Sequence, residues 1–172
     1  MMRRVILVVL ALLLAAPARA GEPQPFVQGS YAALVKEHAG RPLVVHFWSL
    51  TCAPCLADLP EWPKIKQRLG FDLVLVSTDS LERGPALAAR LKRAGLDDIP
   101  SYAFADSFTE RLMFEVARDW RGELPRTQLI AADGETTAVL GSVGEKALRD
   151  WLSRPPHTCG SPGCCSPRSD QR

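Results

Sequence analysis

The sequence predicts an α/β domain: a mostly parallel sheet with helices on both faces and an antiparallel hairpin at one edge. Three observations carry that expectation. Residues 43–48 (LVVHFW) and 71–78 (FDLVLVST) are short, almost continuous apolar runs with β-branched and aromatic members. Such runs suit strands buried on both faces. Helix-patterned segments follow each of them, the alternation of a sheet covered by helices. Near the end, Asp133-Gly134 separates two further strand-like runs, 127–131 and 136–140, and marks a tight hairpin.

The remaining elements follow in order. Residues 22–29 (EPQPFVQG) hold two prolines and read as an extended lead-in. Residues 30–39 form a short helix with Tyr31, Leu34 and Val35 on one face and Gly40 as its stop. A helix is expected over 52–69, yet it contains Pro60 and Pro63. Pro60 has no N–H to give the carbonyl of Leu56, and its ring crowds that carbonyl, so a kink or break belongs there. Residues 84–94 form a helix with Pro85 in its first turn and Gly95 at its stop. A short strand at 102–104 and a helix at 109–118 come next. Residues 144–152 close the domain with Ala147, Leu148, Trp151 and Leu152 on the inner face. There is no internal repeat, and the Pro/Ser/Cys-rich stretch from 154 has little to bury.

Composition narrows the class. At 172 residues the chain suits one domain. With 47% apolar and 23% charged residues it is neither disordered nor a coiled coil. Net charge is +2, and without Arg3, Arg4 and Arg19 the basic total falls from 21 to 18 against 19 acidic residues. No basic stripe crosses the folded part, so a nucleic-acid partner is not expected.

The first twenty residues read as an address. Met1-Met2-Arg3-Arg4 is a positive n-region, 5–16 is an unbroken apolar run, and Ala18-Arg19-Ala20 has the small-x-small form of a cleavage site. These are the parts of a secretory signal in order. The alternative is an uncleaved inner-membrane anchor, but a spanning helix needs roughly 20 apolar residues. The expected organisation is therefore a signal peptide (1–20), a lead-in and short helix (21–40), a main domain (41–153) and a Cys-containing flexible tail (154–172). The mature protein is expected in the periplasm, where disulfides persist.

Cys52-Ala53-Pro54-Cys55 is the strongest chemical signal. Cysteines three apart lie on one helical face, close enough to bond. They sit at the start of a helix directly after a buried strand, where first-turn N–H groups lack helical partners and the dipole favours a thiolate. Cys52, at the tip, is expected to have a lowered pKa, and Cys55, one turn in, to be shielded. Pro54 costs nothing in a first turn. A zinc site would want a second matched ligand pair, which the folded part lacks. A structural disulfide with so short a loop would stabilise little. Redox dithiol, structural disulfide and metal ligand are the readings the residues themselves leave open.

The segment 47–55 (FWSLTCAPC), followed by Leu59-Pro60, resembles the active-site run of thioredoxin-like proteins, most closely the exported TlpA/ResA/CcmG-type branch, F-W-(A/S)-x-x-C-x-P-C-x-x-x-x-P. A second landmark agrees: Leu124-Pro125-Arg126-Thr127 before an apolar strand and Asp133-Gly134 resembles the family's cis-proline loop. Val76-Ser77-Thr78-Asp79 resembles the end of its preceding strand. The resemblance implies a thioredoxin-like fold, a central mixed β-sheet flanked by helices on both faces. It implies that Cys52 attacks and Cys55 resolves, that Pro125 faces the dithiol through a cis bond, and that Pro60 is the family's helix-kinking proline. Trp48, Ala53, Pro54 and Leu124 would face the substrate, with the Leu124 backbone free to pair with it.

The same resemblance implies a thiol–disulfide oxidoreductase with no cofactor, tilted towards reduction of partner proteins in cytochrome c maturation or at copper-site cysteines. Its partners would be proteins carrying disulfides or dithiols, and a membrane electron donor of the DsbD/CcdA type. Departures from the pattern matter. Thr51 stands where many relatives have Trp. His46 stands where thioredoxin has a buried carboxylate, and a neutral histidine near its ordinary pKa would relay protons for Cys55; the alternative is a hydrogen-bonded core residue. Asp79 is a second carboxylate candidate for that relay, with a capping or loop role as its alternative. His38 reads as surface.

The tail falls outside the family pattern. His157, Cys159, Cys164 and Cys165 would bind a soft ion such as Cu(I), exchange with the dithiol, or form one local disulfide with a thiol left over. The rival function is accordingly a copper-handling protein on this fold. A peroxidase is disfavoured, because Thr51 directly precedes Cys52 instead of standing three residues before it.

Overall fold

The computed structural model describes residues 21–155. The expected signal peptide and the tail residues His157, Cys159, Cys164 and Cys165 lie outside the described residues. In chain order the elements are β1 (Gln24–Phe26), α1 (Ser30–Glu37), β2 (Leu43–Trp48), α2 (Ala53–Asp58), a 3-10 turn (Leu59–Glu61), α3 (Trp62–Leu69), β3 (Asp72–Ser80), a 3-10 turn (Leu81–Arg83), α4 (Gly84–Arg93), β4 (Ser101–Phe104), α5 (Thr109–Val116), β5 (Arg126–Ile130), β6 (Thr136–Leu140) and α6 (Glu145–Leu152).

They build a six-stranded sheet in the order β1-β4-β3-β2-β5-β6. Pairing is parallel from β1 through β4 and β3 to β2. It is antiparallel from β2 to β5 and from β5 to β6. β2 lies between β3 and β5, and all of its residues are buried. That central place is why the run LVVHFW carries apolar residues on both faces instead of alternating. Successive side chains still divide between the faces. Leu43, Val45 and Phe47 join one core with Phe26, Leu34, Val76, Leu112 and Trp120. Val44 and Trp48 join the other, with Cys55, Leu59, Trp62, Leu75 and Leu148.

The 21–40 lead-in packs as part of the same body. β1 adds to the edge of the sheet beside β4, with Pro25 opposite Ala103. An edge strand tolerates a proline because one side of it needs no donor. Phe26 anchors it, stacked on Phe104 at 5.6 Å and edge-on to Phe47 at 6.2 Å. Sequence patterning missed this strand because so short a segment with two prolines has no periodicity to read.

The helix expected over 52–69 is broken where Pro60 demands it, into α2, the 3-10 turn and α3. The Leu56 carbonyl, left without its helical donor, accepts instead from Arg90 Nη2 of α4 at 2.7 Å. The break is thereby tied across the core to a second helix. Gly70 ends α3 in the left-handed region at φ +69, a conformation a side chain resists. No helix among the described residues is long and apolar enough to cross a membrane.

Candidate active site

The chain leaves β2 at Trp48 and reverses in a turn in which Cys52 N–H donates to the Ser49 carbonyl at 3.3 Å. Cys52 then caps α2 with an extended backbone, φ −88 and ψ 97, and Pro54 falls in the first turn. The Cys52 sulfur accepts the Cys55 N–H at 3.2 Å, so a first-turn donor without a helical partner points at this sulfur. Cys52 and Cys55 are disulfide-bonded, with Cα atoms 5.2 Å apart. Their exposures differ. Cys55 is fully buried among Leu59 and Trp62, while Cys52 is only partly covered. An incoming sulfur therefore reaches Cys52 first.

The second landmark lies beside the first. The β2–β5 register pairs Phe47 with Arg126, so the next step along brings Pro125 alongside the end of β2. The Leu124–Pro125 peptide bond is cis. Pro125 is buried, and its carbonyl accepts from Gly141 N–H at 2.8 Å. Leu124 is partly buried against both cores, and no hydrogen bond engages its N–H or carbonyl among the described residues. Ala53 and Pro54 are exposed. An extended peptide laid along Leu124 would find backbone groups to pair with, at the rim of the dithiol.

No family model matches the chain, and no curated protein matches it either. Solved structures do. A secreted Mycobacterium tuberculosis disulfide oxidoreductase homologous to E. coli DsbE superposes with a TM-score of 0.54 at 18% identity, over 68% of this chain and 84% of that one. A thiol:disulfide interchange protein of the thioredoxin family from Chlorobium tepidum gives 0.54 at 19%, over 70% and 81%. StoA from Bacillus subtilis gives 0.50 at 24%, over 66% and 83%. The fold is thioredoxin-like. At these identities the likeness is one of architecture.

On the thioredoxin-like scaffold several expected residues sit differently from their sequence reading. Trp48, expected to face substrate, is 1% exposed. It is the last residue of β2 and packs in the core that also holds Cys55. His46 is fully buried on the central strand, Nδ1 bonded to Thr127 Oγ1 at 3.0 Å and its ring 4.8 Å from that of Trp62. Burial pushes its pKa down to about 3, so it stands far from the ordinary value on which a relay at neutral pH was expected. Its Nε2 has no partner. The Asp79 carboxylate is engaged by Leu50, Ser77 and Arg83, the loop role that stood as its alternative. His38 is not on the open surface: it is mostly covered and bonds Asp72 at 2.8 Å.

Two residues close in sequence to the site's motifs were not singled out by sequence reasoning. Asp58 follows Cys55 by three residues, and its Oδ2 is buried without a hydrogen-bond partner. The i,i+3 spacing was the available signal, since it places Asp58 one helical turn below the buried cysteine. Arg126, directly after Pro125, is 2% exposed. Its guanidinium lies 5.5 Å from the Trp120 ring and 3.2 Å from exposed Asp119. Nothing in sequence distinguishes it from a surface arginine. Among the described residues no cluster of three His, Cys, Asp or Glu side chains is placed to hold a metal ion.

Proposed function

We propose that this chain is an exported thiol–disulfide oxidoreductase that reduces disulfides in partner proteins. The observation that carries the reading is the pair itself: a partly exposed Cys52 bonded to a fully buried Cys55 at a helix start, beside the Leu124–Pro125 loop. In the reduced protein the Cys52 thiolate attacks one sulfur of the partner's disulfide. A mixed disulfide forms and the partner's other sulfur leaves as a thiolate. Cys55 then loses its proton and attacks Cys52 Sγ. That step closes the Cys52–Cys55 disulfide and releases the partner as a dithiol, two electrons richer.

Asp58 Oδ2 is the acceptor we assign to the Cys55 proton, because it is buried, unpartnered and one turn away. His46 serves as a neutral neighbour, since a ring that protonates only near pH 3 takes up no proton at neutral pH. Ala53, Pro54 and the Leu124 backbone meet the substrate. A membrane electron donor of the DsbD/CcdA type restores the dithiol, as an oxidising compartment requires. The three neighbours named above, described as a secreted disulfide oxidoreductase, a thiol:disulfide interchange protein and StoA, support the reading. So does the secretory pattern of residues 1–20.

The deciding experiment is the reduction potential of the Cys52–Cys55 pair in mature protein with the tail cysteines changed to serine. A value near about −270 mV supports a reductase, and one near about −120 mV makes it an oxidase. Cys52→Ser is expected to abolish exchange. Retained activity would sink the reading. Truncation after Pro155 separates the copper-handling alternative: the enzyme keeps its exchange, whereas a carrier using His157, Cys159, Cys164 and Cys165 loses Cu(I) binding.

A further inference from the structure

The turn that delivers Cys52 is tied to the sheet by one carboxylate. Along β3 the register with β4 runs Leu75↔Ser101, Val76↔Tyr102, Ser77↔Ala103, then jumps to Ser80↔Phe104. Thr78 and Asp79 are therefore extra residues in a bulge, a device that re-aims a side chain next to a site. The bulge brings Asp79 to the turn that leaves β2. Oδ2 accepts the Leu50 N–H at 2.8 Å and the Ser77 hydroxyl at 3.0 Å. The Asp79 N–H donates back to Ser77 Oγ at 3.1 Å, which fixes the bulge itself. Oδ1 accepts from Arg83 Nη1 at 2.6 Å. The Asp79 side chain is 8% exposed, so its bonds to Leu50 and Ser77 are partly sheltered from water, while Arg83 lies towards solvent.

Leu50 stands two residues before Cys52, and both pack on the same core. Within the turn the Cys52 N–H reaches the Ser49 carbonyl at a long 3.3 Å. The Ser49 and Thr51 hydroxyls are likewise 3.3 Å apart. The short, charge-assisted bond from Leu50 to Asp79 is thus the firmest polar tie between this turn and the scaffold. We propose that Asp79 is a positioning residue for Cys52, its carboxylate holding the Leu50 amide so that the sulfur caps α2 in attacking geometry. This rests on the thiol–disulfide reading of the site. A nucleophile held in place reacts faster than one that must find its place, and the holding groups act through others without touching substrate.

The test uses the reduced mature chain with tail cysteines changed to serine, comparing Asp79→Ala, Asp79→Asn and Arg83→Gln. Rates of Cys52 attack on a small aromatic disulfide, and of its alkylation by iodoacetamide, are followed against pH up to the plateau where the thiolate is fully formed. Amide exchange at Leu50 is read by NMR. Asp79→Ala is expected to lower the plateau rate about tenfold and to speed Leu50 exchange, with Asn between it and wild type. Arg83→Gln, which leaves the Leu50 bond intact, should stay within twofold. Asn keeps the shape of the side chain, so it carries the test if Ala does not fold. An unchanged plateau in both Asp79 variants, or a change explained wholly by a shifted titration midpoint, overturns the proposal. If the wild-type protein fails to reduce disulfides, the functional reading falls, while alkylation and Leu50 exchange still decide the role of Asp79.

Discussion

His46 and Thr127 face each other across the β2–β5 ladder and join side chains, Nδ1 to Oγ1, at 3.0 Å. The pair occupies the middle of the sheet, and His46 is wholly out of water. A charged imidazolium there would have no carboxylate to answer it, which is why the ring stays neutral down to about pH 3.

Stability should therefore depend on pH through this residue. The unfolded chain takes up a proton on His46 below its ordinary value near 6.5, while the fold refuses it until about 3. The contribution is present in full above 6.5 and is lost as pH falls through that window. Between pH 7 and 4.5 the loss amounts to about 2.5 kcal/mol. Urea unfolding of wild type and His46→Leu at both pH values should show that much extra acid sensitivity in the wild type. Equal pH slopes would refute the account.

The Pro60 break and Arg90 are expected to be coupled. Arg90→Met leaves the part-buried Leu56 carbonyl without its donor and should cost about 1–3 kcal/mol. In a Pro60→Ala background the restored amide can serve the same carbonyl, and the Arg90→Met penalty should shrink by at least about 0.5 kcal/mol. A double-mutant cycle by chemical denaturation measures the coupling. Strict additivity would show that Arg90 and Pro60 act separately.

Arg126 is an expensive residue to bury. Its Nε has no partner, and its counter-ion Asp119 stands 84% exposed, where water screens it. Arg126→Met keeps much of the packing over Trp120 and removes the desolvated charge, so stability should change by less than about 1 kcal/mol or rise. Asp119→Ala should also cost less than about 1 kcal/mol. A loss of several kcal/mol on Arg126→Met would mean that the charge itself organises the loop after Pro125.

Gly70→Ala tests the end of α3. The φ of +69 is disfavoured for any residue with a Cβ, though nothing within 4 Å would obstruct one. The penalty should be backbone alone, about 1–2 kcal/mol, read from the shift in thermal midpoint. A neutral result would mean that the helix end can adopt a right-handed cap.

Much of this molecule is written locally. The buried strand LVVHFW, the Asp-Gly hairpin, the Pro60 break and the Cys52/Cys55 helix start follow from apolar patterning, turn chemistry and missing N–H groups, all properties of neighbours in the chain. Tertiary structure decided what depends on residues far apart. Trp48 went inward because β2 lies between β3 and β5. His46 lost its ordinary basicity because the sheet closed over it. Asp79 met Leu50 because a bulge in β3 aimed it across to the turn after the neighbouring β2. The order of residues sets which side chains lie one turn or one strand step apart. Desolvation and hydrogen-bond partners between distant segments exist only once the sheet has assembled, and those forces set the protonation of His46 and the bond from Leu50 to Asp79.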